Sequence, residues 1–166
     1  MDEEREYGRA EGKAFRLLTL RAHSEKELRA KLHAGGFADV VVERVMGRCR
    51  ELGYLNDELF ARQRARVLAV SRLAGDRRIA FDLRERGIDS MHAAQVIAEV
   101  RGEFGEEEAA TRLLRKKIRG RPVASLTERE KAGLARSLMG KGFPTGLILK
   151  ILKKTEEEGF HGDDGE

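Results

Sequence analysis

Residues 28–37, with the sequence LRAKLHAGGF, decide the fold of this chain. They hold a short pattern: an apolar residue, a second one four positions later, a glycine four positions after that, and an apolar residue directly behind the glycine. Apolar residues four apart lie on one helix face. A glycine fits the left-handed position that ends a helix, and the apolar residue after it folds back onto the last turn. The pattern therefore predicts a short helix, a glycine stop and a hydrophobic clasp.

The same pattern occurs three times. It comprises Leu28, Leu32, Gly36 and Phe37, then Ile79, Leu83, Gly87 and Ile88, then Leu134, Leu138, Gly142 and Phe143. The copies begin 51 and 55 residues apart, and a related stop, Gly53 followed by Tyr54, comes after the first copy. An internal repeat of this period is typical of helical units that are each too small to hold a large core and stack on their neighbours.

Flanking segments complete each unit. Ser24 with Glu27 and Thr127 with Glu130 have the spacing of a capping box, and Asp76 is the candidate cap of the middle copy. Helical periodicity precedes the three copies at about residues 11–21, 57–72 and 106–118, and a further apolar segment follows each copy. We therefore predict an all-α fold with nine helices, arranged as three tandem three-helix repeats of helix-turn-helix-like units in an elongated, curved array of either hand.

The charge distribution separates a basic body from acidic ends. The net charge is +4, but residues 13–155 alone carry +13. We expect a flexible acidic tail over residues 1–12, repeats over residues 13–55, 56–104 and 105–155, and a disordered acidic tail over residues 156–166. A body this basic points to an anionic partner, either nucleic acid or an acidic protein surface, although an arginine-rich solvated surface would give the same composition.

The sequence argues against several classes of protein. Its apolar stretches are too short to span a membrane, and the opening Met-Asp-Glu-Glu lacks the features of a secretory signal. The single cysteine, Cys49, cannot build a disulfide framework, and no Cys/His cluster has zinc spacing. No phosphate-binding loop or catalytic grouping is found. We therefore expect a cytoplasmic monomer that is not an enzyme, uses no cofactor or metal and binds no membrane.

A series of short motifs resembles one known family. The motifs are Arg21-x-His23-Ser24-x2-Glu27-Leu28-x2-Lys31-Leu32, Gly53-Tyr54-Leu55-Asn56-Asp57, Phe60-Ala61 and Arg78-Ile79-x3-Leu83-x3-Gly87-Ile88. In this order they closely resemble the RecX family of recombinase regulators. Lys141-Gly142-Phe143 with Ile148, Ile151 and Leu152 is similar to the third repeat of that family. The resemblance covers about residues 13–154 and departs at Asp76, where the family pattern has proline.

The resemblance implies tandem three-helix repeats in a curved array and a non-enzymatic modulator of the RecA recombinase. Proteins similar to this one bind the RecA–DNA filament along its helical groove. They thereby suppress its ATP hydrolysis, strand exchange and coprotease activity in recombinational repair and the SOS response. The implied partner is therefore the RecA filament, with single- or double-stranded DNA as a further partner.

Two groups of cations are the candidate partner-binding residues. The middle basic cluster comprises Arg62, Arg66, Arg72, Arg77 and Arg78, and the C-terminal basic cluster comprises Arg112, Arg115, Lys116, Arg119 and Arg121. A helical wheel places Arg62 and Arg66 outside the apolar arc and Arg64 within it, so we expect Arg64 to be structural. For both clusters, an ordinary solvated helix face is the competing interpretation. The chain has few aromatic residues that could stack on bases, so a single-strand binding platform is not expected.

A second function fits the same features. Two helices joined by a glycine turn and flanked by basic residues are also the signature of helix-turn-helix DNA-binding regulators of transcription. If the activity of the chain depends on the presence of RecA, the chain is a RecA modulator. Salt-sensitive, sequence-dependent binding of duplex DNA without a recombinase would mark the second. A hydrolase or transferase function has no support in the sequence.

Overall fold

The computed structural model describes residues 2–160, which form nine α-helices and no β-strand. The helices are α1 (Asp2–Leu20), α2 (Glu25–Ala34), α3 (Asp39–Glu51), α4 (Asp57–Arg66), α5 (Asp76–Glu85), α6 (Ser90–Glu103), α7 (Glu106–Ile118), α8 (Glu128–Gly140) and α9 (Thr145–Phe160). A π turn, Val67–Ser71, extends α4, and a 3₁₀ turn, Val123–Ser125, precedes α8. The all-α prediction is confirmed. Within residues 2–160, each helix is too short or too polar to cross a membrane.

The predicted glycine stops are present at the ends of α2, α5 and α8. Gly36, Gly87 and Gly142 have φ angles of 81°, 85° and 93°, in the left-handed region that an L side chain avoids. At the end of α5, the amide of Ile88 donates a 3.0 Å hydrogen bond to the carbonyl of Leu83. This is the bond that closes a Schellman motif, so the glycine and the apolar residue behind it end this helix as the pattern predicts.

Both predicted capping boxes form. Ser24 accepts a hydrogen bond from the amide of Glu27, and the Glu27 carboxylate accepts one from the amide of Ser24. Thr127 and Glu130 make the same reciprocal pair at the start of α8. Each box satisfies two amides that the first helical turn leaves without a partner.

The predicted cap at Asp76 is wrong. Asp76 is the first residue of α5, and the carbonyl of the preceding Gly75 accepts the first bonds of the helix. The amide of Asp76 donates to the carboxylate of Glu106 at 2.9 Å, and its own carboxylate accepts from Arg101. The carboxylate of Glu106, from another helix, therefore accepts from the first amide of α5, and Asp76 does not cap the helix.

The described residues divide into two compact units. The first contains residues 2–64 and 83–93, and the second contains residues 65–82 and 94–160. In the first unit, α1, α2 and α3 enclose a core of Ala10, Ala14, Leu28, Leu32, Val41, Val42, Val45, Met46, Cys49 and Leu55. In the second unit, α7, α8, α9 and the 3₁₀ turn enclose a core that includes Leu113, Leu114, Val123, Leu138, Phe143, Ile148 and Ile151.

The N-terminal segment is not a tail. We predicted that residues 1–12 are flexible, but α1 begins at Asp2 and its Ala10 is fully buried. The Glu6 carboxylate accepts a 2.8 Å hydrogen bond from the amide of Ala38, which has no side-chain cap of its own. Glu4 pairs with Arg44 of α3 at 2.7 Å. The acids that gave the segment the composition of a tail are therefore partners of α3.

The C-terminal segment is partly helical. We predicted a disordered tail over residues 156–166, but α9 continues to Phe160 and therefore includes the first five of these residues. Glu156 and Glu158 form ion pairs with other helices. Residues 161–166 lie outside the described part of the chain.

Candidate partner-binding surface

All ten predicted cations of the two basic clusters are exposed to solvent. Arg62 and Arg66 lie on α4, Arg72 follows the π turn, and Arg77 and Arg78 lie in the first turn of α5. The C-terminal basic cluster is held by the second half of α7 and by the loop that follows it. Arg64, which the helical wheel separates from the others, is half-buried. The surface is thus available, but the cations differ in whether an acid already neutralises them.

Two members of the middle basic cluster form ion pairs. Arg62 binds Glu58 one turn earlier on α4, with 2.8 Å between Nη2 and Oε1. Arg66 binds Glu103, the last residue of α6, with 2.5 Å between Nη1 and Oε2. All four side chains are exposed, so each pair contributes less than about 1 kcal/mol to stability. A partner surface that carries carboxylates or phosphates can therefore exchange with these glutamates at small cost.

The other three members of this cluster have no acidic partner within 4 Å among the described residues. Arg77 and Arg78 occupy the start of α5, where the helix dipole disfavours positive charge. The Arg78 guanidinium lies 5.8 Å from the ring centre of the exposed Phe81, within the range of a cation–π contact. Arg72 follows the π turn and precedes Leu73, which has a left-handed φ of 49°.

In the C-terminal basic cluster, three arginines form ion pairs. Arg112 binds Glu108 at 2.8 Å, Arg115 binds Glu158 at 3.4 Å, and Arg121 binds Glu130 at 2.8 Å. The hydrogen bonds from Arg121, followed by those from Thr127, lower the pKa of Glu130 to about 2. Glu130 therefore stays ionised at any physiological pH.

Lys116 and Arg119 have no acidic partner within 4 Å among the described residues. Arg119 directly follows the last residue of α7 and has a left-handed φ of 52°, and Gly120 follows with a φ of 81°. Beyond this turn, the end of α7 and the start of α8 enclose an open cleft of about 480 Å³, lined in part by Lys117, Arg119 and Arg121. Cations on the rim of an open cleft can bind an extended anion.

A polar junction that the sequence analysis did not identify joins helix ends in the first unit. Asp57, the first residue of α4, accepts a 2.9 Å hydrogen bond from the amide of Glu25, the first residue of α2. Arg50 binds the Glu25 carboxylate with two hydrogen bonds of 2.6 and 2.9 Å. These bonds hold the pKa of Glu25 below its usual value, whereas burial raises the pKa of Asp57.

The second unit repeats the polar junction. Glu106, the first residue of α7, accepts from the amide of Asp76, and Arg101 binds the Asp76 carboxylate at 2.7 Å. Burial raises the pKa of Glu106 as it does that of the matching acid in the first unit. Glu25 and Asp76 are 51 residues apart, as are Arg50 and Arg101. This spacing, equal to that of the first two pattern copies, is the signal by which the junction could have been found.

Within the described part of the chain, exposed charges are available for binding a partner, and no group of side chains could hold a metal ion. Residues 2–160 contain no cluster of three or more His, Cys, Asp or Glu side chains that could hold a metal ion. Cys49 is fully buried, and burial raises the pKa of its thiol, so the nucleophilic thiolate is disfavoured. The cations of the two basic clusters are exposed and can bind an anionic surface.

Comparison with known proteins identifies the family. The chain matches the model of the RecX first three-helix domain over residues 10–49 and that of the RecX second three-helix domain over residues 56–97. The regulatory protein RecX of Amycolatopsis mediterranei is 32% identical over 163 residues, which cover 93% of this chain and 87% of the relative. The regulatory protein RecX of Thermus thermophilus is 36% identical over 146 residues, which cover 88% of this chain and 92% of the relative.

The fold agrees with that of solved structures. The crystal structure of RecX from Lactobacillus salivarius superposes with a TM-score of 0.75 at 19% identity, and the match covers 92% of this chain and 98% of that chain. A second crystal structure of regulatory protein RecX gives a TM-score of 0.71 at 20% identity. At such identity the superpositions show the fold alone, whereas the sequence relatives cover nearly the whole chain. The chain therefore belongs to the RecX family of regulatory proteins.

Proposed function

We propose that this chain binds the filament that RecA forms on DNA, lies along the filament groove, and lowers the ATPase, strand-exchange and coprotease activities of RecA in recombinational repair and the SOS response. The observation that carries this proposal is a set of exposed cations without ion-pair partners among the described residues. They are Arg72, Arg77, Arg78, Lys116 and Arg119. Membership of the RecX family supports the regulatory role.

RecX regulatory proteins are a non-enzymatic family, so the effect on RecA must come from binding. The two basic clusters are separated along the sequence, the first over residues 62–78 and the second over residues 112–121. Two modest contacts on one partner reinforce each other, because the first contact raises the effective concentration of the second. Surface charges of this kind mainly steer and orient the encounter.

The remaining parts of the proposal concern organisation. We propose that the repeats divide after residues 55 and 104, with α1 in the first and α9 in the third, and that the third acts as a further contact unit. The protein acts as a monomer in the cytoplasm, where RecA filaments assemble. The phosphates of single- or double-stranded DNA inside or beside the filament are a second source of anionic contacts.

An ATPase assay with the cognate RecA on single-stranded DNA tests the proposal. The intact chain should lower ATP hydrolysis at ratios up to one chain per RecA protomer, and the variant Arg77→Glu/Arg119→Glu should do so more weakly. The matched control is Arg9→Glu/Arg16→Glu, which makes the same charge change at two exposed α1 residues that form no ion pair with another described residue. No inhibition by the intact chain at several-fold excess would refute the proposal. Sequence-dependent duplex binding without RecA would favour the helix-turn-helix alternative instead.

A further inference from the structure

The open cleft between the end of α7 and the start of α8 has an aliphatic floor beneath its cationic rim. Ile118, Leu126 and Leu134 line it, and all three also pack in the core of the second unit. The volume of about 480 Å³ lies within the range of about 300–1,000 Å³ that natural ligand clefts occupy. The cleft therefore offers an apolar surface in addition to charge.

Two small residues of α8 leave room above this floor. Gly133 and Ser137 line the cleft and lie four positions apart, so they share one face of the helix. A Cβ atom on Gly133 would meet no closer side chain than that of Arg136, whose Nη2 would lie 4.0 Å away. Packing within the protein therefore does not require glycine here, and a larger side chain at this position would extend into the cleft.

The rim of the cleft has an excess of positive charge. Lys117 and Arg119 have no acidic partner within 4 Å among the described residues, whereas Arg121 binds Glu130. The carboxylate of Glu130 also accepts from the amide and the hydroxyl of Thr127, at 2.8 and 3.1 Å. The one acid of the lining is therefore satisfied within the chain, while two cations remain available for anions of a partner.

The aliphatic floor distinguishes between the two kinds of anionic partner. Proteins bind the bases of single-stranded nucleic acids mainly by stacking them on aromatic or arginine side chains and by hydrogen bonds to base edges. The described residues that line the cleft include no aromatic side chain. A phosphate backbone would use the rim and leave the floor in water. A protein segment that carries an aliphatic residue between carboxylates would use both.

We propose that this cleft binds an acidic peptide segment of a protein partner, with one or two aliphatic side chains on the floor and the flanking carboxylates on Lys117 and Arg119. This inference rests on the proposed function, in which the C-terminal basic cluster meets the anionic partner. It assigns this contact to protein rather than to DNA.

The floor and the rim make different contributions to such binding. Ion pairs on an exposed rim are weak and are screened by salt. Burial of an aliphatic side chain does not depend on charge, and loss of one such anchor should weaken binding about tenfold or more. The bound segment should therefore need both its carboxylates and its anchor.

Methyl NMR with a synthetic peptide tests the cleft without RecA. The peptide DEDLLDED, added at millimolar concentration in about 50 mM salt, should shift the methyl signals of Ile118, Leu126 and Leu134. The peptide DEDSSDED, which keeps the charges and lacks the anchor, should bind about tenfold more weakly or worse.

Three results would overturn the proposal. The first is the absence of shifts at the three cleft methyl groups with DEDLLDED. The second is an oligo(dT) of eight nucleotides that shifts these signals as strongly as the peptide does, which would assign the cleft to nucleic acid. The third is a change of the same signals on dilution of the protein alone, which would assign the cleft to a second copy of the chain.

Two variants with matched controls locate the binding. Gly133→Leu should fill the cleft and weaken peptide binding at least about fivefold, whereas Gly8→Leu, at an exposed position within α1 that also has open space, should not. Leucine is the better helix former, so neither change should unfold its helix.

The second variant changes only the charge of the rim. Lys117→Gln/Arg119→Gln should weaken peptide binding about threefold to tenfold, and Arg9→Gln/Arg16→Gln, with the same loss of charge on α1, should not. Equal effects of a cleft variant and its control would overturn the proposal.

The RecA ATPase assay then connects the cleft with the proposed function. Gly133→Leu should require at least about threefold more protein than Gly8→Leu for half-maximal inhibition. Normal inhibition by Gly133→Leu would overturn the role of the cleft while leaving the proposed function intact. If the intact chain does not inhibit RecA at all, the proposed function fails, and the peptide measurements, which contain no RecA, still decide whether the cleft binds an acidic segment.

Discussion

The backbone amide of Gly75 donates a 2.8 Å hydrogen bond to the carbonyl oxygen of Lys141. This bond joins the turn before α5 to the turn after α8 and brings them so close that a Cβ atom on Gly75 would overlap the backbone of Gly142. A Cβ atom on Gly142 would in turn collide with the backbone of Arg78. Since backbone on either side cannot yield as a flexible side chain does, glycine at both positions is a packing requirement.

We expect Gly142→Ala to destabilise the protein more than Gly36→Ala does. Both glycines have a positive φ, which costs an alanine about 1 kcal/mol, but a Cβ on Gly36 meets open space. The free energy of unfolding should fall by about 1 kcal/mol for Gly36→Ala and by at least about 2 kcal/mol for Gly142→Ala, which adds the overlap with Arg78. Urea unfolding of the two variants measures the difference. Equal losses would contradict the steric explanation.

The two copies of the polar junction should differ in their contribution to stability. The Arg101 side chain is 11% exposed and also donates to the carbonyl of Ala74 at 2.7 Å, whereas Arg50 is 41% exposed. Arg101→Ala leaves that carbonyl and the Asp76 carboxylate without their donor, so the free energy of unfolding should fall by about 2–3 kcal/mol. Arg50→Ala should lower it by about 1 kcal/mol or less. Thermal or urea unfolding of the two variants measures both losses. A larger loss of stability for Arg50→Ala than for Arg101→Ala would contradict the role of burial.

Charge reversal in the middle basic cluster should affect function without affecting the fold. Arg77→Glu removes no ion pair, and Arg66→Glu breaks only an exposed one, so each should change the free energy of unfolding by about half a kcal/mol. Both should weaken inhibition of RecA. The contrasting variant is Leu83→Ala, which creates a cavity at a fully buried residue and should cost about 2–5 kcal/mol. Reversal variants that unfold would assign these arginines to the scaffold, and ones that inhibit normally would remove them from the partner surface.

His23 should make stability depend on pH. Its Nε2 lies 2.9 Å from Lys31 Nζ, and because an ammonium only donates, this nitrogen accepts while Nδ1–H donates to the carbonyl of Arg21. The buried ring is therefore neutral, and burial, helped by the charges of Arg21 and Lys31, lowers its pKa.

Protons therefore bind His23 more readily in the unfolded chain than in the folded one. The free energy of unfolding should be fully retained above about pH 6.5 and should fall as the pH drops from there towards the lowered pKa of the folded state. His23→Gln, which cannot titrate, should lose this part of the pH dependence. Urea midpoints over the range of about pH 5–8 measure both proteins. Identical profiles would show that the ring does not titrate in this range.

Features that depend on a few neighbouring residues were predictable from the sequence. The capping box of Ser24 and Glu27 and the stops at Gly36, Gly87 and Gly142 need only local spacing, because caps and left-handed stops are decided within one helical turn. The exposure of Arg62 and Arg66 also followed from the helical wheel. Their role in binding a partner remains a prediction.

Features that depend on contacts between distant residues were not predictable. Residues 2–12 lie in α1, where Glu6 accepts a hydrogen bond from the amide of Ala38, yet neither residue signals the other in the sequence. The Asp76 cap failed for the same reason, since Glu106, 30 residues later, supplies the acceptor. A composition rich in charge indicates disorder only when the charges lack partners in the fold.

The polar junction, found once in each unit, has a consequence for how such a chain can evolve. Each copy satisfies the start of one helix with an acid from a following helix and an arginine from the helix between them. Because the acid belongs to the repeat that follows, we expect an inserted copy to supply an acid to the repeat before it and to receive one from the repeat after it. Duplication or deletion can therefore change the number of repeats by whole repeats, while the start of each remaining helix in a junction keeps its partners.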